Sequence, residues 1–177
     1  MINYILLVSR QGPSPSSNPS KCKVRLAKWF STMPPKQKVK IVKDVTQLVL
    51  ARRTRMCNFL EYKDTKVVYR RYASLFFVCG IASGDNELIT LEIIHRYVEV
   101  LDRYFGNVCE LDLYVLKLLL AISSSHITRQ ILDELVIAGE MQESSKKSVL
   151  RVVTQSDSVE EQESSEDIIG RLGAARG

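Results

Sequence analysis

The chain of 177 residues, 45% hydrophobic and 25% charged, has the proportions of one soluble globular domain with enough chain to bury a real core. No apolar run reaches the ~18 residues that a membrane span needs, and the start Met1 to Ser9, without a basic leader or a small-residue cleavage site, reads as structure and not as a signal peptide. The net charge of +5 hides an asymmetry: residues 1–53 carry eleven Lys/Arg against the single acid Asp44, whereas residues 155–177 carry six acids against Arg171 and Arg176. A basic first third can face an acidic protein, an anionic membrane or nucleic acid, or can be a solvated face.

In chain order, Ile2 to Ser9 reads as a strand with two apolar faces, hence one covered on both sides of its sheet. Pro13-Ser-Pro-Ser-Ser-Asn-Pro-Ser20 is turn chemistry, a flexible loop that extends to residue 23. Val24 to Phe30 alternates again, so the first two strands form a hairpin across a long connection, which costs little extra closure entropy. Thr32-Met-Pro-Pro35 opens a helix with the stripe Val39, Val42, Val45, Leu48 and Val49, and Arg52-Arg53 sit at its negative end. Asn58 to Tyr62 and Lys66 to Arg70 form a hairpin turning at Lys63-Asp64, and Tyr72 to Ile81 is a further strand.

Gly84-Asp85-Asn86 then breaks the chain, with Asp85 or Asn86 as N-cap of a helix whose buried face is Leu88, Leu91, Ile94, Val98, Leu101 and Phe105. Glu87, Glu92, Arg96, Glu99 and Arg103 take the wet side, and Gly106 follows as C′. Leu111 to Ala138 is a third helical region, broken at Ser123-Ser-Ser-His126 into roughly 111–122 and 126–138. Ser144 or Ser145 caps a last helix to about Val153. The order β-β-α-β-β-β-α-α-α describes an α+β or three-layer α/β/α domain over 1–154. The serine- and acid-rich 155–177 has the composition of a disordered tail.

Catalytic chemistry is missing. There is no HExxH, GxSxG, Walker loop or strand-linked GxGxxG. His95 lies beside an apolar stripe and reads as a packed or rim imidazole. Glu110 and Asp112, two apart, would face different ways on a helix. Cys22, Cys57, Cys79 and Cys109 form no CxxC and read as buried free thiols of a reducing compartment. Aromatic residues follow the strands and do not interleave with lysine as a base-stacking platform would.

Longer strings carry a family likeness. Arg25-Leu-Ala-Lys-Trp29, the run Lys66 to Phe76, Asp85-Asn-Glu-Leu88, Ile94 to Asp102 and Asn107-Val-Cys-Glu-Leu-Asp112 together resemble the small (sigma) subunits of clathrin adaptor complexes. Met56-Cys-Asn-Phe-Leu-Glu61, Leu88-Ile-Thr-Leu-Glu92 and the acidic extension look most like the trans-Golgi and endosomal adaptor, adaptor complex one. The resemblance covers most of 1–154 and implies a longin-like α/β (α+β) domain, a five-stranded antiparallel sheet flanked by helices.

It also implies a non-enzymatic role with no cofactor and no metal. The partner would be a large, gamma-type adaptin within a heterotetramer, with clathrin and membrane reached through that complex and no nucleic acid bound. The location would be cytoplasmic, peripheral on trans-Golgi network and endosome membranes and clathrin-coated vesicles. The ligand would be a cargo tail with an acidic dileucine signal, which needs an apolar pocket and a cation. The family's basic position falls on Arg25 and its pocket on Ala73, Leu75, Val98, Asn107, Val108, Leu111 and Leu113; without the resemblance, each apolar member reads as plain core. Two stretches depart from the family's pattern: the insertion at 13–23 and Tyr114 to Gln130, which replaces a shorter string. The alternative readings are a longin-type regulatory subunit without a peptide pocket and a basic nucleic-acid-binding domain.

Overall fold

Strand β1, Ile2–Arg10, is buried at every position from Tyr4 to Ser9, as a strand apolar on both faces must be when layers cover it on each side. The computed structural model describes residues 1–10, 22–53, 55–72, 74–105 and 125–159. Strands β2 (Cys22–Trp29), β3 (Phe59–Tyr62), β4 (Thr65–Tyr72) and β5 (Leu75–Ala82) complete one sheet in the order β2-β1-β5-β4-β3. Its neighbouring strands are all antiparallel. The expected five-stranded sheet flanked by helices is therefore present, and β1 lies inside it. The predicted loop occupies 13–23, but β2 already begins at Cys22; the rest of that loop lies outside the described residues.

Alternation sends Tyr4, Leu6 and Val8 to one face, where they meet Val67, Tyr69, Phe76 and Val78 beneath helix α1 (Pro35–Ala51). Ile5 and Leu7 go to the other face with Val68, Leu75, Phe77 and Cys79, beneath helix α2 (Glu87–Tyr104). These two apolar layers hold the three-layer sandwich together.

Helix α1 buries Val45, Thr46 and Val49, not the whole predicted stripe. Val39 is 71% exposed and Leu48 44%. The series 39, 42, 45, 48 fails because each step of three falls about 60° short of a turn, carrying its two ends to opposite flanks. Arg52 is the C-cap itself, and its guanidinium donates to the Tyr69 hydroxyl (3.1 Å) and the Cys57 carbonyl (2.9 Å). Arg10 instead serves the helix end, donating to the Leu50 carbonyl at 3.0 Å.

The β3–β4 hairpin turns at Lys63-Asp64 as predicted, with Lys63 at φ 55°. Tyr72, read as the start of the next strand, ends β4 and pairs with Leu75 across the following turn. In α2 the Asn86 side chain is the cap, accepting from the Leu88 and Ile89 amides at 2.9 and 3.4 Å. Replacing it, Asn86→Ala, is expected to cost about 1 kcal/mol in a urea melt. Leu88, predicted inward, is 67% exposed. It stands nine residues, two and a half turns, from buried Tyr97 and so on the opposite side of the helix. Gly106, the predicted C′ residue, lies outside the described residues.

Helix α3 spans Ser125–Leu135; the expected helix at 111–122 lies outside the described residues. The expected run to 138 stops early because Val136–Ile137 (β6) pairs with Glu140–Met141 (β7). Its turn has Ala138 at φ 52° and Gly139 at φ 83°, and a Cβ at Gly139 would strike the Ile2 carbonyl oxygen. Only glycine fits there. Helix α4, 146–159, begins at Ser145, whose hydroxyl accepts from the Ser148 amide at 3.4 Å. Val149 and Val153 anchor it in the core, and it continues past the predicted domain end at 154. Tyr104 donates to Asp157 on that extension.

Of the cysteines, Cys79 is buried, and burial pushes its thiol far above the usual range. Cys22 is half-buried and Cys57 exposed, which corrects the expectation of buried thiols. Cys57 sits in the turn segment after α1, where Arg55 has φ 73° and no apolar layer covers the chain. Cys109 lies outside the described residues.

Candidate peptide-binding site

Arg25 gains its position from a break in the β1–β2 ladder. Leu7 pairs with Leu26 and Val8 with Val24, so Arg25 is the extra residue of a β-bulge, a device that re-aims a side chain. Its Nε donates to the Ser9 hydroxyl at 3.1 Å, and that hydroxyl donates to the Lys23 carbonyl at 3.5 Å. Ser9 follows Ile5 and Leu7 on the α2 side of the sheet, and it is 2% exposed. The guanidinium thus lies at the edge of the α2 layer, held through its Nε by Ser9.

Ser9 is also the β1 partner of Leu75, the first residue of β5. Leu75 is fully buried and shares one apolar cluster with Val98, which is 4% exposed. The structure therefore brings Arg25 and Leu75 to the same end of the sheet through Ser9, and it places Leu75 and Val98 in one apolar layer, both packed as core. Ala73, Asn107, Val108, Leu111 and Leu113, the other predicted site residues, lie outside the described residues.

Around these three is a polar rim that the sequence reading assigned only in part. The Tyr72 ring stands edge-on to Phe77 (centroids 5.5 Å apart, 89°), with the Arg70 guanidinium 5.3 Å from its centroid. Its hydroxyl lies 3.4 Å from His95 Nδ1, and burial raises its pKa. His95 is a rim imidazole, as expected, with Nε2 3.9 Å from Glu99. Glu99 is paired with Lys146, and that hydrogen bond holds its carboxyl below the usual range. Arg96 ties α2 to the approach of α4 through the Ser144 carbonyl at 2.5 Å. Tyr72 was hidden because it reads as the first residue of the strand after the turn, whereas it is the last residue of the strand before it. The bulge was hidden because it depends on the register of two strands.

What the described residues offer is a half-buried cation beside an apolar layer, the two elements that a peptide with an acid and apolar side chains needs. Among the described residues no group of His, Cys, Asp and Glu could hold a metal, and no helix is long and apolar enough to cross a membrane.

The clathrin adaptor complex small chain family model matches residues 1–160. The AP-1 complex subunit sigma-1 of Schizosaccharomyces pombe is 52% identical over 171 residues, covering 97% of this chain and 94% of the yeast protein. Human AP-1 complex subunit sigma-1A is 47% identical over 176 residues, covering 99% and 100%. Arabidopsis thaliana AP-1 complex subunit sigma-1 is 50% identical over 161 residues, covering 91% and 89%. In three dimensions the chain resembles one from a homology model of the full-length AP-3 complex in a stretched open conformation. That match has a TM-score of 0.62 at 23% identity, over 94% of this chain and 99% of the other, and supports the fold alone. With the motif strings, the sheet and the helices all in family order, the chain belongs to the clathrin adaptor complex small chain family.

Proposed function

We propose that this chain is the small subunit of an AP-1-type adaptor heterotetramer at trans-Golgi network and endosome membranes, where it helps recognise acidic dileucine signals on cargo tails. It is a trafficking adaptor subunit and not an enzyme. The observation that carries the reading is the identity of 47–52% to AP-1 sigma proteins of yeast and human over nearly the whole chain. Identity at this level over nearly the whole chain favours the same kind of large partner, a gamma-type adaptin. Clathrin and membrane would be reached through the assembled complex.

In this reading Arg25 faces the acid of the signal, as a fork of donors suited to a carboxylate. Ala73, Leu75, Val98, Val108, Leu111 and Leu113 surround the two leucine side chains, and Asn107 holds the peptide backbone. The bulge at Arg25 and its hold on Ser9 through Nε support the first assignment. The burial of Leu75 and Val98 favours the second reading, a longin-type regulatory subunit without a cargo groove. Assembly is tested by co-expression with the trunk of a gamma-type large subunit. The two chains are expected to co-purify at one-to-one stoichiometry; a small chain recovered alone would contradict the reading.

A further inference from the structure

The outer face of α1 is a lysine row, on the side of the sheet away from the layer that holds Leu75 and Val98. Lys36, Lys40 and Lys43 are all exposed, at positions i, i+4 and i+7, and therefore form one stripe about 10 Å long. No carboxylate among the described residues pairs with them. The helix has no acid in its first turn, and its only acid, Asp44, accepts the Tyr62 hydroxyl at 2.8 Å. Val39, 71% exposed, stands within the stripe, beside Lys36 and Lys43. The inward cation of this helix, Lys38, is already placed 5.5 Å from the centroid of the Trp29 ring.

We infer that this face of α1 docks on an anionic lipid surface. Three features select a bilayer over an acidic peptide or a nucleic acid. The stripe lies on the convex side of a helix, whereas peptides are held in grooves or along sheet edges. The shallow apolar depression at α1 lies on its inner side, lined by Val49, Leu50, Phe76 and Val78, away from the lysines. The cations are all lysine, mobile point charges that suit a diffuse negative surface better than the fixed fork that arginine offers a single phosphate. An exposed valine among lysines suits shallow contact with headgroups and offers no stacking plane for bases. The face is opposite the α2 layer that holds Leu75 and Val98, so the inference does not depend on the dileucine site.

The test is sedimentation of the full chain with phosphatidylserine-rich vesicles, against pure phosphatidylcholine vesicles. Binding is expected only to the anionic vesicles, falling as salt rises. Lys40→Glu/Lys43→Glu is expected to lower the partition coefficient by roughly thirtyfold or more. The charge-matched control Lys147→Glu/Arg151→Glu, both exposed on α4, should change it far less. Unchanged thermal midpoints for both variants show that the fold is kept. Binding to both vesicle types, equal losses in the two variants, or no sedimentation at low salt each overturn the inference. So does a chain that ignores the vesicles but binds polyglutamate or duplex DNA through the same lysines.

Discussion

Val98→Asp is expected to cost roughly 3–5 kcal/mol of folding free energy at neutral pH, the penalty of an uncompensated buried charge. Val98 is 4% exposed and lies in the cluster with Leu75, Tyr97 and Leu101. The effect has a pH signature. Burial raises the new carboxyl's pKa in the folded state above its unfolded value, so the unfolded chain holds the proton less tightly. The ionisation penalty is absent below the unfolded pKa, near 3.9. It grows as pH rises and is complete above the folded pKa. Urea melts of Val98→Asp against the parent at pH 4 and pH 7 should show the gap widening with pH. A variant as stable as the parent at both pH values would mean that Val98 borders a water-filled slot and not a core. This matters for function, because loss of cargo binding by Val98→Asp alone cannot separate a spoiled pocket from a spoiled fold.

The second large effect lies on the other face of the sheet. Gly80 is the cross-strand partner of Tyr4, and a Cβ at Gly80 would run into the Tyr4 ring. That ring is 2% exposed and is backed by Trp29, with centroids 5.0 Å apart. It has nowhere to go, so Gly80→Ala must move a central strand and is expected to cost about 1–3 kcal/mol. Tyr4→Leu in the same chain should recover part of the loss, a coupling measurable by a double-mutant cycle. The Tyr4 hydroxyl has no hydrogen-bond partner among the described residues, so Tyr4→Phe alone should leave stability within about 0.5 kcal/mol or raise it. A fully tolerated Gly80→Ala would contradict this packing of β1 against β5.

Period and punctuation made most of the fold readable. The strand runs from Ile2, Lys66 and Tyr72, the Lys63-Asp64 turn and the cap at Asp85 or Asn86 are local signals; each has its counterpart in the fold, although the strand expected from Tyr72 begins at Leu75. Three-residue spacing misled on Val39, Leu48 and Leu88, since it was taken for a stripe although it winds around a 3.6-residue helix. The β6–β7 hairpin was missed because two residues are too short to show a period, although Val136-Ile137 before Ala138-Gly139 carried the turn signal. The site was less readable for a different reason. Arg25 is one arginine in a basic strand until the Leu7–Leu26 and Val8–Val24 pairs expose the bulge, and register is a property of two strands. Ser9, its anchor, had no signature beyond being a serine at the end of an apolar run.

Arg25 also offers the cleanest handle on function, because it is only half-buried and is held through its Nε by Ser9. The most direct measurement is therefore capture of this chain, assembled with its large-subunit trunk, on an immobilised acidic dileucine peptide. A peptide with both leucines changed to alanine is the control, and Arg25→Glu and Ser9→Ala are the variants. The account predicts capture that needs the leucines and is lost with Arg25→Glu while the two chains still co-purify. Ser9→Ala should weaken it only modestly by loosening the guanidinium. An intact assembly that ignores the dileucine peptide, or holds the alanine peptide equally well, would contradict a cargo site in this subunit.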